Sequence, residues 1–231
     1  MNKGIIKKIY RVKDIENIQN KINQLGLENK KFDAVEFLTI RMLSTILLTV
    51  LLLIFFYSKY FIIPFIVIIY YNLFYYFLIA LPLNRRIKKL DRDALSFFEV
   101  LSLSLESGKN LENALELTCY NIDNDLSDEF KRSLFEIRFG KSLMESLEAL
   151  KKRIPSETIN NIILNITQTN VFGSSIIDTM NTQVEYLREK QIMDIKSQIN
   201  KIPNKVSIIS VIFIVPLILL IILGPFIISL L

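Results

Sequence analysis

The phrase Gly108-Lys109-Asn110-Leu111-Glu112-Asn113-Ala114-Leu115 recurs twice downstream. It returns as Gly140-Lys141-Ser142-Leu143-Met144-Glu145-Ser146-Leu147 and as Gly173-Ser174-Ser175-Ile176-Ile177-Asp178-Thr179-Met180. The three glycines are spaced 32 and 33 residues apart. Each phrase reads as a helix stop followed at once by a helix start. Glycine tolerates the left-handed conformation that closes a helix. Two residues on, Asn110, Ser142 and Ser175 offer a side-chain oxygen as the cap of the next helix. Ser142 with Glu145 completes the capping box, and the other two phrases fit it in part. The apolar pairs 111/115, 143/147 and 176/180 have the spacing of a buried helix face. The stretch from Glu106 to Gln183 is therefore an array of helix-turn-helix units. A repeat near this length also occurs in helical solenoids, but three copies with unequal helices favour a compact bundle.

Outward from this stretch the chain becomes apolar. Of its 231 residues 51% are hydrophobic, and mean hydropathy is +0.37. Residues 42–57, 60–81 and 206–231 carry no acidic or basic side chain, and Lys59 separates the first two runs. Runs of about 20 apolar residues are long enough to cross a bilayer as helices. The fold class is all-α: an integral membrane protein with three transmembrane helices and one cytoplasmic six-helix antiparallel bundle. The expected division is a cytoplasmic amphipathic segment at 1–37, a transmembrane hairpin at 38–81, the helical bundle at 82–205 and a C-terminal transmembrane helix at 206–231.

The net charge of +5 belongs to the membrane flanks. Residues 1–37 contribute +3, Arg41 and Lys59 the remaining +2, and residues 82–205 are balanced. A basic excess placed this way argues against a nucleic-acid partner, which needs a basic face on the folded domain itself.

Within residues 1–25, Ile5, Ile9, Val12, Ile15, Ile18, Ile22 and Leu25 recur at steps of three and four between lysines and Arg11. This predicts an amphipathic helix stopped by Gly26. It either lies on the anionic inner leaflet or packs on protein. The first span runs from about Leu38 to Tyr57, with Arg41 placed to snorkel at its inner end. Ser58 and Lys59 turn the chain, and the second span follows from about Tyr60 to Leu81. Asn72, near its middle, suits an interhelical hydrogen bond. Pro82 is expected to end that span. The basic cluster Arg85, Arg86, Lys88, Lys89 and Arg92 then sets the orientation by the positive-inside rule. The N-terminus and residues 82–205 are expected on the cytoplasmic side and the C-terminus outside.

Six helices are expected in the bundle: about 93–107, 111–122, 127–139, 143–154, one following Pro155 to about 172, and one from Ser175. The inward residues are Leu95, Phe98, Leu101 and Leu105 on the first, and Phe130, Leu134 and Ile137 on the third. Leu143, Leu147, Leu150 and Ile154 line the fourth. Ile176, Met180, Val184, Leu187, Ile195, Ile199 and Ile202 line the sixth, which can run on through Pro203 into the last span. Pro216, Gly224 and Pro225 kink or end that span.

Chemistry of the enzymatic kind finds little support. There is no histidine and a single cysteine. The phosphate-loop and nucleophile-elbow patterns are absent. Apart from Arg41 and Lys59 at the edges, the spans carry no charge of the kind that marks an ion path. The chain reads as a non-enzyme without cofactor or bound metal. Asp123, Asp125, Asp128 and Glu129 cluster oxygens that a divalent cation could use weakly; the plain alternative is a solvated acidic turn. Cys119 reads as a small residue in a helix packing surface. Glu106, Gly108, Lys109, Arg138, Gly140 and Lys141 flank two of the glycine turns. With Gly173 and Arg188 they form the candidate interaction set.

These residues carry a resemblance. Leu105-Glu106-Ser107-Gly108 followed by Leu111 and Ala114-Leu115 resembles the opening of the type II secretion F-type domain. Gly140-Lys141-Ser142-Leu143 with Ser146-Leu147 resembles its central motif, and Phe172-Gly173-Ser174-Ser175-Ile176 its last. Arg188 and Glu189 match the region leading to the final span. Ser107, Ser146 and Thr179 stand where alanine is usual in the family. The resemblance spans about residues 82–231, and the layout is most similar to the TadC branch of tight-adherence (Flp) pilus assembly. It implies an inner-membrane platform subunit of a pilus or secretion machine. The implied partners are a hexameric secretion ATPase, a paralogous TadB-like platform subunit or a second copy, the pilin, and membrane lipid. A membrane-anchored scaffold without a motor partner, or a small transporter or enzyme, would be the alternatives.

Overall fold

The computed structural model describes residues 10–26, 33–55, 61–172 and 175–230, and every element among them is helical. In chain order the helices are α1 (Val12–Asn23), α2 (Ala34–Phe55), α3 (Ile63–Tyr75), α4 (Leu81–Glu106), α5 (Leu111–Asn121), α6 (Asp125–Arg138), α7 (Leu143–Arg153), α8 (Glu157–Phe172) and α9 (Ile176–Leu230). The chain divides into two compact units, Met1–Val184 and Glu185–Leu231.

Among the described residues, two helical stretches are long and apolar enough to cross a membrane, Ala34–Phe55 and Ile63–Glu106. Few side chains on their apolar windows are buried, unlike those of the core helix of a soluble protein. Residues Ser207–Leu223 form a shorter apolar helical stretch in the second unit.

Pro82 does not end the second of these stretches. A π-helical turn, Tyr76–Ala80, joins α3 to α4, and Pro82 sits in the first turn of α4. Proline lacks an N–H and its ring crowds the carbonyl four residues back. Widening the preceding turn relieves that crowding; the Leu81 N–H bonds the Tyr76 carbonyl, five residues back. The helix thus continues from the apolar stretch into the polar one as far as Glu106. At Pro203 and Pro216, too, the helix continues, to Leu230.

α1 packs on protein, which decides between the two readings of the N-terminal segment for its described part. Ile22 is buried with Ala34, Phe37, Leu38 and Ile79, and Ile15, Ile18, Phe74 and Tyr75 pack around them. The Gln19 side-chain carbonyl accepts from the Ala34 N–H at 2.8 Å, so α1 satisfies a donor at the start of α2. Residues 1–9 lie outside the described region.

Arg41 does not snorkel. It is 8% exposed, its Nη2 donates to the Tyr71 carbonyl at 3.1 Å, and its guanidinium lies 3.5 Å from the Tyr71 ring centroid. The cation is held by aromatic faces between α2 and α3. Asn72 departs from expectation as well: its Nδ2 donates to the Ile68 carbonyl of its own helix at 3.0 Å.

After α4 the connections are short, and the helices pack as a core rather than a solenoid. α4 contacts α5, α6 and α8, so partners far apart in sequence share one interior. Its centre is aromatic. Phe97 stacks on Phe130 with ring centroids 4.5 Å apart, and Phe98 meets both edge-on. Leu101, Leu105, Leu134, Leu147, Leu150, Ile154, Met180 and Val184 are buried as their spacing predicts. Leu95, Ile137, Leu143 and Ile176 are half-buried. Leu90, Ala94 and Phe97 join the core unanticipated, because α4 buries a broad face against several helices. The stripe on α9 ends early: Leu187 is buried, while Ile195 and Ile199 are exposed.

Candidate functional site

The first two glycine turns form as their residues dictate. Gly108 has φ +83° and Gly140 φ +95°, with no atom near where a Cβ would stand in either case. Backbone conformation, not space, is what requires glycine there. At Gly140 the closure is a full Schellman motif: Gly140 N–H donates to the Ile137 carbonyl at 2.9 Å and Lys141 N–H to the Glu136 carbonyl at 3.2 Å. At Gly108 one such bond forms, to the Leu105 carbonyl, and the Ser107 hydroxyl satisfies the Ser104 carbonyl at 2.7 Å. Gly173 lies outside the described residues.

All three expected caps are present. Asn110 Oδ1 accepts from Asn113 N–H at 2.9 Å. Ser142 and Glu145 exchange hydrogen bonds at 3.2 and 3.1 Å, completing the capping box. Ser175 Oγ accepts from Asp178 N–H at 3.3 Å. Two turns without glycine are capped likewise, by Asn124 at 2.8 Å and Ser156 at 3.2 Å. Pro155 falls in the turn before α8.

Tertiary packing sets the end of α6 against α5. Arg138, one helical end before Gly140, pairs with Glu116 of α5 at 2.8 Å. That hydrogen bond and the charges of Glu116 and Glu112 hold the guanidinium pKa above its ordinary value. Glu106 accepts from Asn181 Nδ2 at 3.0 Å, and Asn181 Oδ1 accepts from Ser102 Oγ, so the start of α9 stands beside the end of α4. Lys141 pairs with Glu136 at 2.9 Å. Lys109 is exposed. Arg188 belongs to the second unit and pairs with Glu185 at 3.0 Å. Most of the candidate charges thus have internal partners.

One exposed feature escaped the sequence reading. Phe135 on α6 and Phe139, which caps its end, lie four residues apart outside the inward stripe, with ring centroids 4.4 Å apart. Tyr120 is exposed nearby on α5, and Glu116, Cys119, Tyr120, Lys131, Leu134, Phe135 and Arg138 line an open cavity of about 360 Å³. The i, i+4 spacing of two phenylalanines off the buried face was the available signal.

The acidic cluster is occupied by protein cations. Asp125 pairs with Lys89 at 2.8 Å, Asp123 and Asp128 with Lys131 at 3.6 and 3.1 Å, and Glu129 with two arginines. Among the described residues no group of three carboxylates or thiols is arranged to hold a metal ion. Cys119 is buried between α5 and α6, and burial pushes its thiol up to about 11, so it is protonated and unreactive at neutral pH.

Residues 97–224 match the family described as Type II secretion system (T2SS), protein F, over more than half of the chain. No curated protein and no solved structure matches it. Members of the matched family are membrane platform proteins and are not known as enzymes. The match begins inside α4 and runs into the apolar part of α9, so it takes in the glycine turns, their caps and the aromatic core together. With apolar helices long enough to span a bilayer preceding it, the chain belongs to the type II secretion system protein F family of membrane platform proteins.

Proposed function

We propose that this protein is the inner-membrane platform subunit of a type IV or Flp-like pilus, or of a type II secretion machine, and is most like the TadC branch. In this reading the helices α4 to α9 form a cytoplasmic six-helix antiparallel bundle bounded near residues 82 and 205. Residues 206–231 supply a third transmembrane helix after the hairpin at 38–81. The bundle docks with a hexameric secretion ATPase, and the spans meet the pilin as it is drawn from the bilayer. A TadB-like paralogue or a second copy completes the platform.

The observation that carries the reading is the family match at 97–224 joined to the continuous helix Ile63–Glu106. That helix enters the folded core directly from an apolar stretch. A rod without a flexible joint can transmit displacement between domain and membrane, which is what a mechanical platform needs. The exposed ends around Glu106, Gly108, Lys109, Arg138, Gly140 and Lys141, with Gly173 and Arg188, are the proposed contact set.

The test is co-purification of the tagged full-length protein from cross-linked membranes in mild detergent, with its partners identified by mass spectrometry. Recovery of a secretion ATPase and a second platform-like chain is the expected result. Charge reversals at Lys109 and Lys141 should then reduce it. Recovery of the protein alone would overturn the motor reading in favour of a membrane-anchored scaffold.

A further inference from the structure

Four of the ion pairs within the first unit form one unbroken chain. Lys141 Nζ lies 2.9 Å from Glu136 Oε2, and Glu136 Oε1 lies 3.0 Å from Arg153 Nη1. Arg153 Nε is 3.2 Å from Glu129 Oε2, and Glu129 Oε1 is 2.6 Å from Arg86 Nη2. Arg86 Nη1 donates onward to the Gln24 carbonyl. Arg153 also donates to Ser133 Oγ at 2.7 Å, which fixes its plane. The four inner side chains are at most 17% exposed, whereas Lys141 is 53% exposed.

The arrangement leaves little slack. Charges alternate in sign along the chain, and each inner carboxylate bridges two of its cations. A buried charge that loses its partner is strongly destabilised, so a shift at one link is relieved only by a shift at the next. The far end is equally tight. Gly26, at φ +100°, lies against the Arg86 guanidinium, and a Cβ there would stand 3.0 Å from Cζ. The ends of the chain differ in setting: Lys141 follows the Gly140 turn, while Gln24 and Gly26 follow α1 beside the base of the apolar helices.

We propose that this ion-pair chain couples the Gly140 turn to the segment 10–26, so that drawing Lys141 away from Glu136 loosens the seat of α1. Arg153 is the central positioning residue, because it alone joins the two carboxylates. Arg132, 3.9 Å from Glu136, is the reserve partner and limits the response to simple loss of Lys141. Lys141→Glu acts more strongly, since the new carboxylate competes for Arg153, the cation that Glu136 and Glu129 share. The coupling is a property of this fold and stands whether or not a motor partner exists.

The test is hydrogen exchange of the full-length protein in lipid nanodiscs, read in peptides covering 10–26 and 139–146. Lys141→Glu should raise exchange in both, by about threefold or more in 10–26, the scale of a modest coupling between distant sites. In an Arg153→Met background, Lys141→Glu should leave 10–26 unchanged. Should that background lose helicity, Arg86→Lys replaces it, keeping the charge but removing the fork that reaches both Glu129 and Gln24. Exchange altered only at 139–146 would overturn the proposal. So would an equal rise at 10–26 with the central link removed.

Discussion

Gly140 offers the sharpest test of how the core is built. Its φ of +95° lies where side chains are disfavoured, yet no atom lies within 4 Å of the place a Cβ would take. Substitution therefore costs backbone strain without a clash, and the order of costs is set by local conformational preference alone. Alanine should cost about 1–2 kcal/mol, the penalty for left-handed backbone in an ordinary residue. Valine should cost more, since β-branching worsens the fit. Asparagine, which tolerates this region best among non-glycine residues, should cost least. At about 2–4 °C per kcal/mol for a chain of this size, alanine should lower Tm by about 2–8 °C. The assay is thermal unfolding followed by circular dichroism in one detergent, with Gly108 carrying the same substitutions, because its setting is also open. Valine melting level with asparagine would refute the strain argument. A large loss at Gly140 with none at Gly108 would show instead that contacts around the Gly140 turn, not its φ, set the cost.

Three further outcomes follow from the packing. Phe130→Ala removes the ring that Phe97 stacks on and Phe98 meets edge-on; it should destabilise the protein by about 3–5 kcal/mol, measured by denaturant unfolding. For Glu136, burial pushes the carboxyl up, but the hydrogen bond from Lys141 and the charges of Arg153, Lys141 and Arg132 outweigh it and hold the pKa below the usual value. A lowered carboxyl pKa adds stability above the unfolded value of about 4.3 that is lost as pH falls through the folded value. The stability gap between wild type and Glu136→Gln should therefore narrow below about pH 4.3, and a gap constant from pH 7 to pH 3 would refute this. For the proposed orientation, Ser58→Cys in a Cys119→Ser background should react with an impermeant maleimide on intact cells, and Lys109→Cys only after permeabilisation. Lys109 is the suitable cytoplasmic probe because it is exposed.

Sequence alone determined the helix stops, the caps and the apolar runs, all of which rest on short spacings. The stops at Gly108 and Gly140, the caps Asn110, Ser142 and Ser175, and the capping box to Glu145 are local exchanges of backbone hydrogen bonds. The apolar runs are equally local, since length and hydropathy suffice to name a helix that can span a bilayer. Tertiary structure decided where the polar side chains went. Arg86 reads as one member of a basic cluster, but it is buried against Glu129, 43 residues on. Arg41 reads as a snorkelling cation, but the rings of α3 cover it. Pro82 reads as a helix end, but a π turn absorbs it. The reason is common to all three. A charge, or a proline at the edge of a helix, has several nearly equivalent local solutions. Which is cheapest depends on the surface that packing sets opposite, and no window of sequence contains that surface.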